Sequence, residues 1–289
     1  MDKVKIIECP RDAMQGLHGF IPTATKIAYI NKLLQVGYDT IDFGSFVSPK
    51  AIPQLRDTAD VLRGLDLKQS TSKLLAIIAN IRGGEDACKF EEITYLGFPF
   101  SISETFQMRN TNSTIEQSLT TVEALQNLCI KNKKQLVVYI SMAFGNPYGD
   151  VWNAEIAIDW IKKIADFDIK IIALADTVGI ASPDDVGYLF SKVIPQFNTV
   201  QIGAHLHCTP FNWREKTDAA FKSGCTRFDT AIKGFGGCPM ANDELVGNLA
   251  TENLLLYLEQ NHVQANIDLT KFAEASDEAN MVFNTTYAT

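Results

Sequence analysis

Two histidines, His205 and His207, stand one residue apart in the stretch GAHLHCTPF, in a chain with only four histidines among 289 residues. They end an apolar run that begins at Val200. If this run is a β-strand, side chains two residues apart point to the same face, so both imidazoles face one point. A single strand histidine is more often structural, whereas a pair on one face is typical of a metal site. Two imidazoles rarely complete such a site, so an oxygen ligand is expected elsewhere.

A carboxylate that could supply this oxygen is Asp12, which follows the apolar run VKIIEC in the sequence CPRDAMQ. Its simplest alternative role is that of a turn or cap residue. Imidazole nitrogens with carboxylate or carbonyl oxygens suit Mg²⁺, Mn²⁺ or Zn²⁺, and because the cysteines form no thiolate cluster, Mg²⁺ or Mn²⁺ is favoured. Arg11 could hydrogen-bond a developing oxyanion, although a surface salt bridge is the commoner role of an arginine.

Cys238 lies in the segment KGFGGCP, where three glycines allow the backbone to turn tightly and approach a ligand. Its thiol could act as a proton donor or nucleophile if its pKa is lowered. An isolated cysteine is more often a small inert hydrophobe. The six cysteines show no C-x-x-C pairing, so free thiols in a cytoplasmic protein are expected.

Eight short apolar runs predict β-strands, and most of the segments between them have helical periodicity. The predicted strands span residues 4–9, 40–44, 74–79, 93–100, 136–142, 170–176, 200–207 and 227–232. Eight strands alternating with helices over this length are typical of a (β/α)8 TIM barrel. The alternative is an open doubly wound sheet, which usually carries a G-x-G-x-x-G turn after its first strand. No such turn follows VKIIEC.

A barrel explains how these residues could meet, because the catalytic residues of TIM barrels lie at the carboxyl ends of the strands. Arg11 and Asp12 follow strand 1, the histidines end strand 7, and Cys238 follows strand 8. Strands 1 and 7 are separated only by strand 8, so we expect Asp12 and both histidines within ligand distance of one ion. Strand 6 ends at another carboxylate, Asp176.

Composition and charge limit the partners. Apolar residues make up 46% of the chain, which is enough for a sizeable core, and the net charge is −8 without a basic tract. This balance argues against nucleic acid or an anionic membrane surface as a partner. No signal-peptide pattern or membrane-length apolar run is evident, so a cytoplasmic location is expected. We predict a barrel over residues 1–234, with a glycine-rich catalytic loop and a C-terminal helical extension over 235–289 packed on it as one domain.

The motifs PRDAMQ, SFVSPKAIPQ, ADTVG, HLH, GFGGCPMA and GNLATE occur in the order found in the 3-hydroxy-3-methylglutaryl-CoA lyase family of the DRE-TIM metallolyase superfamily. The chain resembles that family over nearly its whole length, residues 4–260. SFVSPK with its PQ, GGCP and GNLATE are specific to the family, whereas the R-D and H-x-H pairs are shared across the superfamily. The resemblance implies a (β/α)8 barrel, a divalent metal (Mg or Mn) and an acyl-CoA substrate, and we expect a homodimer.

The residues that match the family's metal ligands are Asp12, His205, His207 and Asn248. Asn248 is implied only by the resemblance. Arg11 matches the arginine that stabilises the enolate of the thioester, and Cys238 matches the catalytic cysteine on a mobile glycine-rich loop. Asp176 and Gln15 match polar residues that line the site.

The chain departs from the family at three places. The family reads P-R-D-G-L-Q where this chain has Ala13 and Met14. At the end of strand 2 the family has a glutamate, and Asp42 is one methylene shorter, which could displace Arg11 by up to about an ångström and lower the rate. After the histidines, H-x-H-D-T-x-G is replaced by HLHCTPF. The loop therefore lacks an acidic residue and a glycine, and substrate preference could differ.

The resemblance implies a retro-Claisen cleavage of 3-hydroxy-3-methylglutaryl-CoA to acetoacetate and acetyl-CoA, a reaction of leucine degradation. Arg11 would hold the enolate oxygen and Cys238 would protonate the carbanion, while Asp42 and Asp176 would orient Arg11 and the proton path. One alternative is a related lyase, aldolase or Claisen-type synthase that acts on a different acyl-CoA or 2-oxo acid. A non-catalytic acyl-CoA- or metal-binding barrel is an alternative of another class, and the retention of Cys238 argues against it.

Overall fold

The computed structural model describes residues 3–17, 19–237 and 246–285. Eight parallel strands close into a barrel in chain order, so the predicted (β/α)8 architecture is confirmed. The strands are β1 (Lys5–Glu8), β2 (Thr40–Ser45), β3 (Lys73–Ile77), β4 (Ile93–Ser101), β5 (Gln135–Ser141), β6 (Ile171–Asp176), β7 (Gln201–Leu206) and β8 (Arg227–Thr230).

Helices surround this barrel. They are α1 (Pro10–Gln15), α2 (Thr23–Leu33), α3 (Thr58–Arg63), α4 (Ile81–Ala87), α5 (Glu104–Thr111), α6 (Ile115–Lys131), α7 (Ala154–Ala165), α8 (Pro183–Gln196), α9 (Trp213–Lys222), α10 (Thr251–Gln260) and α11 (Leu269–Phe283). After β8, α10 packs against α9, and α11 packs against α2. The division of the chain after residue 234 stays a prediction.

Side-chain periodicity separates two apolar regions. Outward strand residues pack against helices such as α7, whose buried Ala157, Ile161 and Ile164 recur at helical spacing. Truncation of a core residue such as Ile161 to Ala would cost roughly 2–5 kcal/mol. Inward residues alternate with these and form a second cluster that includes Tyr139 and Ala173. The inward face of each strand therefore ends at the carboxyl rim, where it can present polar groups.

The barrel closes between its first and last strands. β1 pairs with β8 over four residues but with β2 over only two. The carboxyl of Glu8 accepts hydrogen bonds from the backbone N–H of Ile232 at 2.8 Å and the Thr251 hydroxyl at 2.6 Å. Burial raises the pKa of Glu8 to about 8, although these hydrogen bonds oppose the shift. Glu8 thus joins the closing strand pair to the segments that follow β8.

Across the ranges given above, none of the helices combines the length and the apolar character that crossing a membrane would require.

Candidate active site

The connection between β1 and α1 places Arg11 and Asp12 at the rim. Pro10 occupies the first turn of α1 directly after the strand, where its missing N–H costs nothing and its fixed φ favours the helix. The helix therefore begins at the strand end and turns its first side chains toward the barrel mouth. Arg11 is 8% exposed and Asp12 is 5% exposed.

The two histidines face the same point, as their spacing predicts. His205 is in β7, and His207 follows it in an isolated bridge with Asn248. Their Nε2 atoms lie 3.3 Å apart. One ligand atom from each of Asp12, His205 and His207 lies within 4.8 Å of the others. Asn248 joins this cluster because its Nδ2 donates to Asp12 Oδ2 at 2.6 Å.

Asp229 fixes the orientation of His205. Its Oδ2 lies 3.1 Å from His205 Nδ1, which leaves Nε2 directed at the cluster. A carboxylate behind a ligating histidine is a common arrangement around protein-bound metals. Burial alone would lower the pKa of His205, but Asp229 raises it above its usual value. Burial and the neighbouring His205 lower the pKa of His207 to about 4, so His207 is neutral, the form that binds a metal.

The guanidinium of Arg11 is held by three side chains. Its Nε and Nη2 donate to Asp42 Oδ2 at 3.0 and 2.6 Å, and its Nη1 donates to Asp12 Oδ1 at 3.0 Å and Gln15 Oε1 at 2.9 Å. A guanidinium has five N–H donors in a rigid fork, so one N–H of Nη2 is left for a ligand. The fork geometry directs that N–H away from Asp42.

The side chain of Asp42 contacts Arg11 although it is one methylene shorter than the glutamate found at this position in the family that the sequence resembles. Both carboxylate oxygens of Asp42 accept from Arg11, Oδ1 from Nε at 3.3 Å and Oδ2 from Nη2 at 2.6 Å, and Asp42 is 1% exposed. Burial raises the pKa of Asp42 to about 6, against the opposing effect of Arg11. Burial also opposes ionisation of Asp12, but Arg11 and the two imidazoles hold the pKa of Asp12 below its usual value.

Asp176 takes part in a different network from the one expected. Its partners are Lys216 Nζ at 2.6 Å and the backbone N–H of Ala181 at 3.2 Å, not Arg11. Lys216 also donates to the carbonyl oxygens of Gly179 at 2.9 Å and His207 at 3.1 Å. The side chains of Lys216 and Asp176 are each 1% exposed. Asp176 therefore connects with the histidine-bearing strand end through a buried lysine.

Cys238 lies outside the described residues. Gly236, before Cys238, and Val246, after it, are described residues on either side of this segment. A Cβ placed on Gly236 would lie 3.0 Å from the carbonyl oxygen of Asp12, and a Cβ on Gly179 would lie 2.7 Å from the Val246 side chain. Both flanks of the glycine-rich segment thus contact elements of the rim.

Among the described residues, two groups of side chains have donor atoms close enough to hold a metal, one formed by Asp12, His205 and His207 and the other by Cys9, His205 and Asp229. The second group is a poor fit, because burial raises the pKa of the Cys9 thiol well above its usual value and only a thiolate binds metal well. In the first group, the anionic donor Asp12 comes from α1, and the neutral donor His207 comes from the end of the same strand as His205. The donors fit an oxygen- and nitrogen-ligated divalent ion.

Sequence reasoning missed Asp229 and Lys216. Asp229 was detectable, because it alternates with Arg227 in a short apolar strand and inward charges at i, i+2 are unusual in a barrel core. Lys216 gave no such signal, since a lysine on an amphipathic helix usually faces solvent. One feature of the sequence indicates that the hydrogen-bond network around Lys216 differs from that of the family: the residue after His207 is Cys208 instead of an acidic residue.

A closed (β/α)8 barrel that gathers an Asp–His–His cluster and an arginine at its carboxyl rim defines a metal-dependent TIM-barrel enzyme. The family model described as HMGL-like matches residues 3–278, and the chain belongs to this family. It is 34% identical to hydroxymethylglutaryl-CoA lyase YngG of Bacillus subtilis (strain 168) over 275 residues, 95% of this chain and 91% of that protein.

Solved structures agree with this assignment. The Bacillus subtilis HMG-CoA lyase matches with a TM-score of 0.91 and 33% identity, over 99% of this chain and 96% of that one. An HMG-CoA lyase from Acinetobacter baumannii, in complex with coenzyme A and 3-methylmalate, matches with a TM-score of 0.90 and 29% identity, over 99% of this chain and 93% of that one.

Proposed function

We propose that this protein is a metal-dependent lyase that cleaves 3-hydroxy-3-methylglutaryl-CoA to acetoacetate and acetyl-CoA. The observation that carries the proposal is the Asp12–His205–His207 cluster beside Arg11, at the rim of a barrel that matches HMG-CoA lyases along almost its whole length. Family membership supports the reaction class, and the coenzyme A in the Acinetobacter baumannii structure supports an acyl-CoA ligand.

Asp12, His205 and His207 would hold the metal, and the Asn248 side chain could turn its amide oxygen toward it. A bound Mg²⁺ or Mn²⁺ would polarise the substrate's tertiary hydroxyl and lower its pKa. Asp229 would keep His205 Nε2 directed at the site. We favour Mg²⁺ or Mn²⁺ because this ligand set includes a carboxylate and an amide oxygen and contains no thiolate.

Arg11 would stabilise the negative charge that develops on the thioester oxygen as the carbon–carbon bond breaks. Asp42, Asp12 and Gln15 already fix its guanidinium, so little reorganisation is needed when the charge appears. The remaining Nη2 hydrogen would donate to the enolate oxygen. Gln15 would act on the substrate mainly through Arg11.

Cys238 would deliver a proton to the enolate carbon, with the glycine-rich segment bringing its thiol to the rim. The contacts of Gly236 with the Asp12 backbone and of Val246 with Gly179 support this role, because both flanks of the segment meet the site. Asp176 would act by holding Lys216 against the His207 carbonyl, and so as a positioning residue for β7.

A turnover assay tests the proposal. The full chain, with Mg²⁺ or Mn²⁺, should release acetoacetate and acetyl-CoA from 3-hydroxy-3-methylglutaryl-CoA and should cleave related thioesters more slowly. Asp12→Asn should abolish turnover and weaken Mn²⁺ binding measured by electron paramagnetic resonance. Metal binding without turnover of any thioester would instead support a non-catalytic barrel. The homodimer and the cytoplasmic location stay predictions.

A related lyase or aldolase with another acyl-CoA or 2-oxo acid substrate is the second candidate. It is favoured by the loop after β7, where Cys208 replaces the family's acidic residue and Phe211 is 92% exposed. Lys216 occupies the buried space behind this loop. Faster turnover of another thioester in the same assay would select this candidate.

A further inference from the structure

The amino-terminal mouth of the barrel, at the end opposite the rim, carries an unusual set of inward side chains. In TIM barrels each inward layer comes from alternate strands. The register places Lys5, Lys73, Gln135 and Gln201 in the first layer and Thr40, Tyr95, Ile171 and Arg227 in the second. Such layers are usually filled by branched apolar residues, whereas three of these eight side chains are cationic.

Arg227 is buried without a hydrogen-bond acceptor. The residue is 0% exposed, and none of its three guanidinium nitrogens has a hydrogen-bond partner among the described residues. Its side chain crosses Gly203, where an added Cβ would lie 3.0 Å from its Cδ. Its Nη1 ends 3.8 Å from Asp39 Oδ1, just before β2, so the guanidinium lies toward the amino end. A buried charge of this kind is costly unless an acceptor compensates it.

The lysines of the first layer add positive charge and form no ion pair with any described residue. Lys5 Nζ donates to the neutral amide of Gln201 at 3.1 Å, and Lys73 Nζ donates to the Tyr95 hydroxyl at 3.2 Å. A third lysine at the mouth, Lys170, pairs with Asp168. Cations therefore outnumber paired carboxylates at this mouth, although the chain as a whole carries a net charge of −8.

The four side chains of the first layer line a cavity of about 530 Å³, whereas Arg227 is not part of its lining. Lys5, Lys73 and Gln201 supply polar groups, and the apolar part of the wall includes Ile194 and Val200. Tyr95 and Ile171, which share the second layer with Arg227, also line it. The volume lies within the range of small-molecule sites and exceeds that of a single phosphate ion. A ligand with an anionic head and a short organic body matches this lining.

We propose that the amino-terminal mouth of the barrel binds a small phosphomonoester, whose phosphate is held by Lys5 and Lys73 and attracted by the buried charge of Arg227. The two lysines act as mobile point charges at the entrance, where they exchange their neutral acceptors for phosphate oxygens. The phosphate also compensates the positive charge of Arg227, which shares the second layer with the lining residues Tyr95 and Ile171. The site is separate from the carboxyl rim and requires no metal.

Calorimetric titration of the full chain with glycerol 3-phosphate tests this site, with inorganic phosphate and malonate as comparison ligands and chloride added to equal ionic strength. We expect glycerol 3-phosphate to bind more tightly than malonate. Arg227→Leu and the Lys5→Met/Lys73→Met double variant should each weaken binding about tenfold or more, since the first removes the buried positive charge beside the cavity and the second removes charge-assisted hydrogen bonds. The control, Lys192→Met on the outer face of α8, should bind as the parent does.

Two further measurements keep the test decisive. If Arg227→Leu fails to fold by circular dichroism, the lysine double variant decides alone, because its two residues lie at the entrance. Equal affinity in the double variant and the parent would overturn the proposal. The proposal would also be overturned if the heat of binding disappears at matched ionic strength or if glycerol 3-phosphate competes with acyl-CoA. A crystal structure of the protein grown with glycerol 3-phosphate that shows only water in the cavity would overturn it as well.

Discussion

At the carboxyl end of the barrel, the cations of Arg11 and Lys216 each lie 2.6 Å from a buried carboxylate. At the amino end, the guanidinium of Arg227 lies 3.8 Å from its nearest ion-pair partner, Asp39. The two ends are built from the same strands, and β8 carries Arg227 at one end and Asp229, the partner of His205, toward the other. Charges at the rim are fixed before any ligand arrives, which suits stabilisation of a transition state. Arg227, Lys5 and Lys73 at the mouth have no such close carboxylate among the described residues, which suits capture of an anion.

Among variants that leave the metal ligands intact, the largest effect is expected for Cys238→Ser, which keeps the shape of the side chain but removes most of its acidity. If Cys238 donates the proton, the turnover number should fall by roughly 10² to 10⁴, the range for loss of a general acid. Mn²⁺ affinity should be unchanged. Steady-state kinetics check this, with Cys88→Ser as the control because Cys88 lies on the barrel's outer side between α4 and β4. Near-normal turnover in Cys238→Ser would remove the thiol from the mechanism.

Lys216→Met tests whether the rim depends on its buried ion pairs. Asp176 would keep a buried charge without a partner, and breaking such a pair typically costs about 3–5 kcal/mol. Urea unfolding of the metal-free protein measures the loss. Lys222→Met on the same helix is a matched control, since its lysine side chain is 71% exposed and its pair with Asp218 should contribute under about 1 kcal/mol. Equal losses in the two variants would contradict a special role for Lys216.

Arg11→Lys separates charge from geometry at the rim. Lysine keeps the charge but cannot contact Asp42, Asp12 and Gln15 while also reaching a substrate oxygen. We expect kcat/KM to fall by roughly 10², the loss seen when one oxyanion donor is removed. Mn²⁺ affinity should change by less than about tenfold, since the metal ligands remain. An unchanged kcat/KM would show that Arg11 does not stabilise the enolate.

Glu8→Gln tests the junction at which β1 and β8 close the barrel. The pKa of Glu8 is raised from its usual 4.5 to about 8, so the folded protein prefers the protonated carboxyl. Its stabilising effect is complete below pH 4.5 and is lost as the pH rises toward 8. The free energy of unfolding of the parent should therefore decline by a few kcal/mol across this window, and the variant should decline less. Unfolding curves that stay parallel between pH 5 and pH 8 would contradict the shifted pKa.

The smallest effect is expected for Lys73→Met at the amino mouth. Catalytic groups of TIM barrels lie at the opposite end, so turnover of the acyl-CoA substrate should stay within about twofold of the parent. Kinetic constants for Lys73→Met and Arg11→Lys, measured side by side, check the division between the two ends. A tenfold loss in Lys73→Met would show that the ends are coupled.

Eight short apolar runs separated by helical segments predicted most of the fold, and the eight strands begin and end within two residues of their predicted bounds. The same reasoning brought Asp12 and the histidines together, because strand order alone makes strands 1 and 7 near neighbours. It did not identify the partner of Asp176, since the identity of a buried partner depends on packing between a helix and a strand end that are distant in sequence. Lys216 is 40 residues from Asp176, and no local pattern relates them.

The pairing of β1 with β8 has a consequence for synthesis on the ribosome. β1 forms twice as many residue pairs with the last strand as with β2, and 222 residues separate Lys5 from Arg227 along the chain. At translation rates of roughly 5–20 residues per second, the first strand waits on the order of ten to forty seconds for its main partner. During that time its open edge can pair with other nascent chains. We therefore expect chaperones to bind mainly nascent chains whose β8 segment has not yet emerged from the ribosome.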